Sequence, residues 1–225
     1  MDLKIFISVG SAYTDTQKKF VDAVIQWLQQ EGISPQMLGR TVYPAKQPLK
    51  VIKDTMKQCD GTLVIAFERI FVSDGQEKRG GAGETLLQSQ IIPTVWNQIE
   101  TAMAYGLKLP ILVLAEEGAR REGLLDDKFD WLILPVKVDA SVVETHVFRE
   151  TLRAWFKNLE SNKMALESAA DTKQKQNGEN IDPGSLTIGQ LFRSMKPNQI
   201  WKCVGALAAI IAVAYSVGAF FGKNL

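Results

Sequence analysis

Apolar residues recur along this chain in two alternating rhythms. One is a continuous run, Ile5, Phe6, Ile7 and Val9, closed by Gly10-Ser11, which is how a strand buried on both faces of a parallel sheet reads. The other is helical. After Thr14-Asp15, residues suited to cap a helix, Phe20, Val21, Val24, Ile25 and Leu28 recur at helical spacing until Glu31-Gly32. The alternation continues with a weaker strand over Met37–Val42 and a helix after Pro48 carrying Leu49, Ile52 and Met56. The strand Gly61–Phe67 then follows directly on Cys59-Asp60. Ser73–Gln90 is polar, with Gly80, Gly81 and Gly83 close together, and reads as a long mobile loop that acts as a lid. A helix opening at Pro93 runs through Trp96, Ile99, Ala102, Met103 and Tyr105 to Gly106. Strands over Pro110–Ala115 and Trp131–Val136 follow, and a closing amphipathic helix carries Val143, Phe148, Leu152, Trp155, Phe156 and Leu159.

Five strands alternating with helices predict an α/β fold, a flavodoxin-like three-layer sandwich with a mostly parallel five-stranded sheet, spanning residues 1–160. Right-handed crossovers favour the strand order 2-1-3-4-5. Residues 161–199 turn polar and read as a linker and juxtamembrane segment with too little apolar surface to repay ordering. From Val204 to Phe221 no charge interrupts the chain, about 27 Å as a helix, and Ile200 and Trp201 lengthen it. Residues 200–221 are therefore expected to be a transmembrane helix, against the alternative of a buried or self-associating one. Arg193, Lys196 and Lys202 precede the uncharged run Val204–Phe221 and Lys223 alone follows, so a single-pass protein with its N-terminal domain in the cytoplasm is expected. Gly205, Ala209, Ala212, Ser216 and Ala219 offer small surfaces for helix pairing in a homo-oligomer.

Composition narrows the chemistry. Lys plus Arg number 26 against 25 Asp plus Glu, a net charge of +1, too balanced for the positive field of a nucleic-acid-coating protein. Cys59 and Cys203 lie far apart and build neither a disulfide framework nor a zinc site. His146, the single histidine, leaves little for a Ser-His-Asp triad or a multi-histidine centre, so no metal is expected.

In an open α/β sheet ligands lie outside the carboxyl ends of the strands. After the first strand come Gly10, Ser11 and Tyr13, a small-residue turn into a helix N-terminus that holds an anion or is simply an ordinary turn. After the third come Glu68 and Arg69, an acid and an anion anchor facing the crevice or else a solvated pair. In the helix after Pro93, Asn97 and Glu100 share a face and Trp96 sits on the neighbouring stripe. A Glu100 flanked by Trp96 and Ile99 in a partly desolvated pocket suits a nucleophile or general base. The alternative is a solvated Glu100 with Trp96 in the core.

The order KIFISVG, helix, Cys59-Asp60, GTLVIAF, and a helical Glu100 ahead of Pro110 and its strand resembles the nucleoside 2-deoxyribosyltransferase-like and Toll/interleukin-receptor (TIR)-like superfamily over roughly residues 3–136. The resemblance implies that Glu100 is the catalytic carboxylate acting at the anomeric carbon of a ribosyl group. It implies further that Asp60 is the acid before the third strand and that Gly10-Ser11 form the loop that touches ligand. Two departures stand out: Pro93-Thr94 replaces the Gly-Thr pair common in the transferases, and Ser73–Gln90 is an insertion. On this footing Asn97 orients a ribose hydroxyl, and Trp96 or Tyr13 stacks on a base. NAD or a nucleotide is then a substrate rather than a cofactor. The expected function is N-glycosidic cleavage or transfer by a membrane-anchored signalling or defence effector. The alternative is a nonenzymatic nucleotide-sensing or self-assembling module at the membrane.

Overall fold

The computed structural model describes residues 3–38 and 48–177, with the side chains of 166 and 169–177 left aside. Two compact units divide the chain after Ser168, and the fold below belongs to the first. Residues 200–221, read above as a membrane span, and residues 178–199 of the expected linker lie outside the described residues, whereas 161–177, expected to be unordered linker, continue the last helix. Among the described residues no helix is long and apolar enough to cross a membrane.

Its central sheet is wholly parallel. β1 (Leu3–Val9), β2 (Ile33–Gln36), β3 (Gly61–Ala66), β6 (Ile111–Glu116) and β7 (Leu132–Val136) lie in the order β2-β1-β3-β6-β7, which is the 2-1-3-4-5 order of a flavodoxin-like sheet. Alternate side chains feed two cores. Leu3, Ile5 and Ile7 of β1 with Leu63, Ile65 and Phe67 pack against α1 (Asp15–Gln30) and α4 (His146–Asn177), where Trp27 meets Phe148 edge-on at 5.2 Å. Phe6, Val64, Ala66 and Val113 pack against α2 (Pro48–Met56) and α3 (Val95–Gly106) through Ile52, Met56 and Ala104. α4 approaches so closely that a Cβ on Gly61 would stand 2.7 Å from Leu159, so the first position of β3 has no room for a side chain.

Three boundaries differ from expectation. β2 begins at Ile33, immediately after the turn at Gly32 (φ +78°), rather than at Met37, because buried Ile33 and Pro35 pair with Leu3 and Ile5 at the sheet edge. The proline is tolerated at an edge strand, and it hid the strand from an apolar-run reading. α3 starts at Val95, capped by Thr94, whose hydroxyl accepts from the Trp96 N–H, so Pro93 stands just outside the helix.

The third difference is the largest. The stretch read as an irregular lid is an antiparallel hairpin, β4 (Ile70–Glu77) and β5 (Thr85–Ile92), registered from Ile70↔Ile92 to Glu77↔Thr85. Its flanks, Ile70-Phe71-Val72 and Ile91-Ile92, carry the strand-forming residues, while the glycines belong to the turn. The hairpin is fastened to the rest of the domain. Arg69 N–H closes the hairpin's own base on Ile92 O at 3.0 Å, while Arg120 ties it to the segment after β6, its N–H donating to Ile91 O at 2.8 Å and its guanidinium lying 2.7 Å from Glu77 and 2.8 Å from Glu122.

Candidate functional site

β1 and β3 are neighbours from which the chain departs in opposite directions across the sheet, towards β2 and towards β6. Their carboxyl ends flank the switch point at which open α/β sheets bind ligands. α3 lies over this point and turns one stripe, Asn97, Glu100, Thr101 and Ala104, into the protein.

Glu100 is only 7% exposed. Its carboxyl accepts a hydrogen bond from Ser8 on β1, and among the described residues no cation offsets the charge, so burial pushes it up to about 7. The Ser8 hydroxyl in turn accepts from Asn97 Nδ2 at 3.0 Å. The same amide nitrogen approaches Ser8 O at 3.3 Å and Ile65 O at 3.4 Å, bridging the ends of β1 and β3. Asn97 Oδ1 is buried without a partner among the described residues, and Thr101 donates its hydroxyl to Asn97 O at 2.6 Å. A carboxyl that gains and loses its proton near neutrality, held by a serine that an amide fixes, can act as base, nucleophile or electrostatic partner to a developing cation.

Around this centre the expected residues separate into groups. Gly10 packs where a Cβ would come within 3.1 Å of Thr94, so the absence of a side chain lets the β1–α1 loop lie against the start of α3. Ser11 and Arg69 are exposed on the two loops that flank the crevice. Tyr13 is 47% exposed and donates its hydroxyl to Glu68 Oε1 at 2.6 Å, and the Glu68 carboxylate beside it raises the phenol above its ordinary value. Trp96, 46% exposed, and Ile99, 37% exposed, face outward. The expected aromatic wall beside Glu100 is therefore absent from its inward stripe, and packing of α3 on the sheet supplies the desolvation instead. The solvated alternative for Glu100 falls with the same observation. Asn97 has its amide nitrogen engaged by β1 and β3, so it positions Ser8 rather than presenting donors to a ribose.

Asp60 is the clear displacement. It precedes β3, so it stands at the amino edge of the sheet, four residues along β1 from Ser8 and about 13 Å away. There it accepts from Lys4 N–H at 2.8 Å and pairs with Lys163 of α4 at 3.2 Å. It clips β1, β3 and α4 together and is not brought to Glu100. A cavity of about 1120 Å³ also belongs to this far edge, among Tyr105, Ile111, Trp131, Leu132 and Trp155, and does not touch the Glu100 site.

No family model matches the chain, and no curated protein matches it. Among solved structures it is similar to the CMP N-glycosidase BcmB of Clostridium botulinum, at 17% identity over 51% of this chain and 72% of that one, with a TM-score of 0.33. It is also similar to FerB, a flavoenzyme NAD(P)H:(acceptor) oxidoreductase from Paracoccus denitrificans, at 13% identity over 70% of this chain and 94% of that one, with a TM-score of 0.36. At these scores both are weak likenesses, and the functional reading rests on the site itself.

Sequence reasoning missed Ser8, Gln17 and Glu116. Ser8 has a legible signal, a hydroxyl inside an otherwise apolar buried strand. Gln17 is 5% exposed in α1, and its Oε1 accepts from the Tyr13 and Thr14 N–H groups at 3.0 and 3.4 Å. Glu116, at the end of β6, accepts from Glu68 N–H at 2.5 Å, and burial raises its carboxyl. Among the described residues no cluster of His, Cys, Asp and Glu suits a metal ion.

Proposed function

We propose that this chain binds a nucleotide or nucleoside at the carboxyl ends of β1 and β3 and cleaves or transfers its N-glycosidic bond, with Glu100 as the functional carboxylate. One observation carries the reading: a buried glutamate at the switch point, raised to about 7, with a serine as its partner and no cation among the described residues. Breaking an N-glycosidic bond builds positive charge on the anomeric carbon, which an ionised Glu100 stabilises across a short gap or captures covalently. In hydrolysis the base leaves with the bonding electron pair, a pyrimidine or purine taking up a proton and the nicotinamide of NAD leaving neutral as a proton is released, and water supplies the hydroxyl that ends on the sugar. Gly10, Ser11 and Tyr13 line the ligand's approach from the β1–α1 loop, Arg69 offers a cation to a phosphate, and Trp96 offers an exposed ring on which a base can stack.

Residues 200–221 anchor the protein to a membrane in this proposal, which rests on their uncharged sequence and leaves the domain to act as a TIR-type signalling or defence effector in the cytoplasm. Recovery of the full-length chain in the membrane pellet after carbonate extraction supports the anchor, and recovery in the supernatant removes it. The enzymatic reading is tested by incubating the full-length protein in detergent with CMP, NAD and a panel of nucleosides and following free base by chromatography. Release of base from one of them supports it, and none from any removes it. A nonenzymatic, self-assembling module is favoured by one feature, the exposed apolar residues Ile70, Phe71, Val95 and Trp96 on the hairpin and α3. Ligand-dependent association without base release is its expected signature.

A further inference from the structure

Two carbonyl oxygens fix the orientation of the Asn97 amide. Its nitrogen lies 3.3 Å from Ser8 O and 3.4 Å from Ile65 O, as well as 3.0 Å from Ser8 Oγ. A carbonyl oxygen accepts and never donates, so turning the amide over would set Oδ1 against two acceptors. The orientation is kept although it leaves Oδ1 buried without a partner among the described residues.

That orientation decides where the Ser8 proton goes. The Asn97 nitrogen has no lone pair to offer, so the Ser8 hydroxyl, which receives the amide N–H on its oxygen, keeps its single proton for another acceptor, and Glu100 takes it. The chain therefore runs one way, from Asn97 through Ser8 to Glu100. All three residues are buried, so water competes little for these bonds. No charge takes the place of the serine. The titratable groups on the elements packed against α3 are Lys4 of β1, Lys50, Lys53 and Asp54 of α2, and Glu116 of β6, and none of them acts on Glu100, while β3 carries none. Among the described residues Ser8 alone opposes the effect of burial.

We propose that Asn97 and Ser8 form a one-way hydrogen-bond relay that keeps the Ser8 proton donated to the Glu100 carboxylate, orienting its anion and making both residues positioning residues for the chemistry of that carboxylate. Their role rests on the reading of Glu100 as the functional carboxylate, and the test needs no turnover. Full-length protein carrying carbon-13 in its glutamate carboxyl groups is titrated in detergent by NMR, and the Glu100 resonance is the one missing from Glu100→Gln. The parent should titrate at about 7. Ser8→Ala should move that midpoint up by about one pH unit, the shift expected when an ionised group loses one hydrogen bond. Asn97→Ala leaves the hydroxyl but frees it to rotate, so the midpoint should rise by about half as much. Ser8→Thr restores the donor and should return the midpoint to the parent's. A purely structural Ser8 would lower resistance to urea and leave the midpoint in place. An unchanged or lowered midpoint in Ser8→Ala overturns the relay, whatever the variant's stability. A raised midpoint in a protein that releases no base upholds the relay and removes the N-glycosidase reading. Base release in the parent with an unmoved midpoint in Ser8→Ala does the reverse.

Discussion

Two carboxylates, Asp60 and Glu100, occupy opposite edges of the same sheet and meet opposite treatment. Asp60 receives a backbone N–H and an ammonium, so its charge is compensated where it stands. Glu100 is more deeply enclosed, with a serine hydroxyl as its partner and no cation among the described residues. A paired carboxylate ties elements together and strengthens the fold. An unpaired buried one weakens the fold whenever it ionises, as expected of a carboxylate kept for the chemistry proposed for Glu100. The placement of the two residues, rather than their spacing in sequence, separates an acid that ties elements together from one enclosed without a counter-charge among the described residues.

The sharpest way to break this comparison is through pH. Because Glu100 has its folded value raised to about 7 from the ordinary 4.5, the folded state holds the proton more tightly than the unfolded chain. Its contribution to stability is therefore greatest below about pH 4.5 and is lost progressively as pH rises through 7, by about 3 kcal/mol in all. Glu100→Gln removes the charge and should be more stable than the parent at pH 8 by about 2–3 kcal/mol and nearly equal to it at pH 4.5, read by urea denaturation. A parent whose stability is flat from pH 5 to 8 would show that Glu100 is compensated after all.

The opposite sign is expected at the other edge. Asp60→Ala removes the acceptor of the Lys4 N–H and the carboxylate paired with Lys163 and should destabilise the domain by about 1–2 kcal/mol at pH 7. If base release is observed in the parent, this variant should retain it within about twofold once folded. A turnover loss as large as that of Glu100→Gln would return Asp60 to the mechanism. The smallest effect on stability belongs to Trp96→Ala. With the ring 46% exposed, unfolding should shift by no more than about 0.5 kcal/mol, while the quenching of tryptophan fluorescence by added nucleotide should diminish if Trp96 stacks on a base.

Much of the fold was legible because its strands are buried on both faces. IFISVG, GTLVIAF and PILVLA announce themselves as apolar runs, and right-handed crossovers then leave few strand orders. What escaped lies at the margins of that rule. β2 is an edge strand of four residues containing a proline, and the β4–β5 hairpin is mostly solvent-exposed, so neither has a buried apolar pattern to read. For the site, the spacing of Asn97 and Glu100 placed both on one helical stripe, but not which stripe faced inward. Trp96 is the larger apolar side chain, yet the outward position falls to it because Ala104 and Thr101 share the buried stripe with Glu100. The Thr14–Gln17 capping box was within reach of the sequence, but the bond from Gln17 to Glu68, 51 positions away, was not.

The central claim is that Glu100 is kept for chemistry at the expense of stability, and a paired measurement on Glu100→Gln in the full-length protein tests it most directly. Free base released from CMP, NAD or a nucleoside is followed alongside urea denaturation at pH 8. The account predicts a variant that is more stable than the parent and whose base release falls by about a hundredfold or more. A variant that releases base at the parent's rate, whatever its stability, would contradict it.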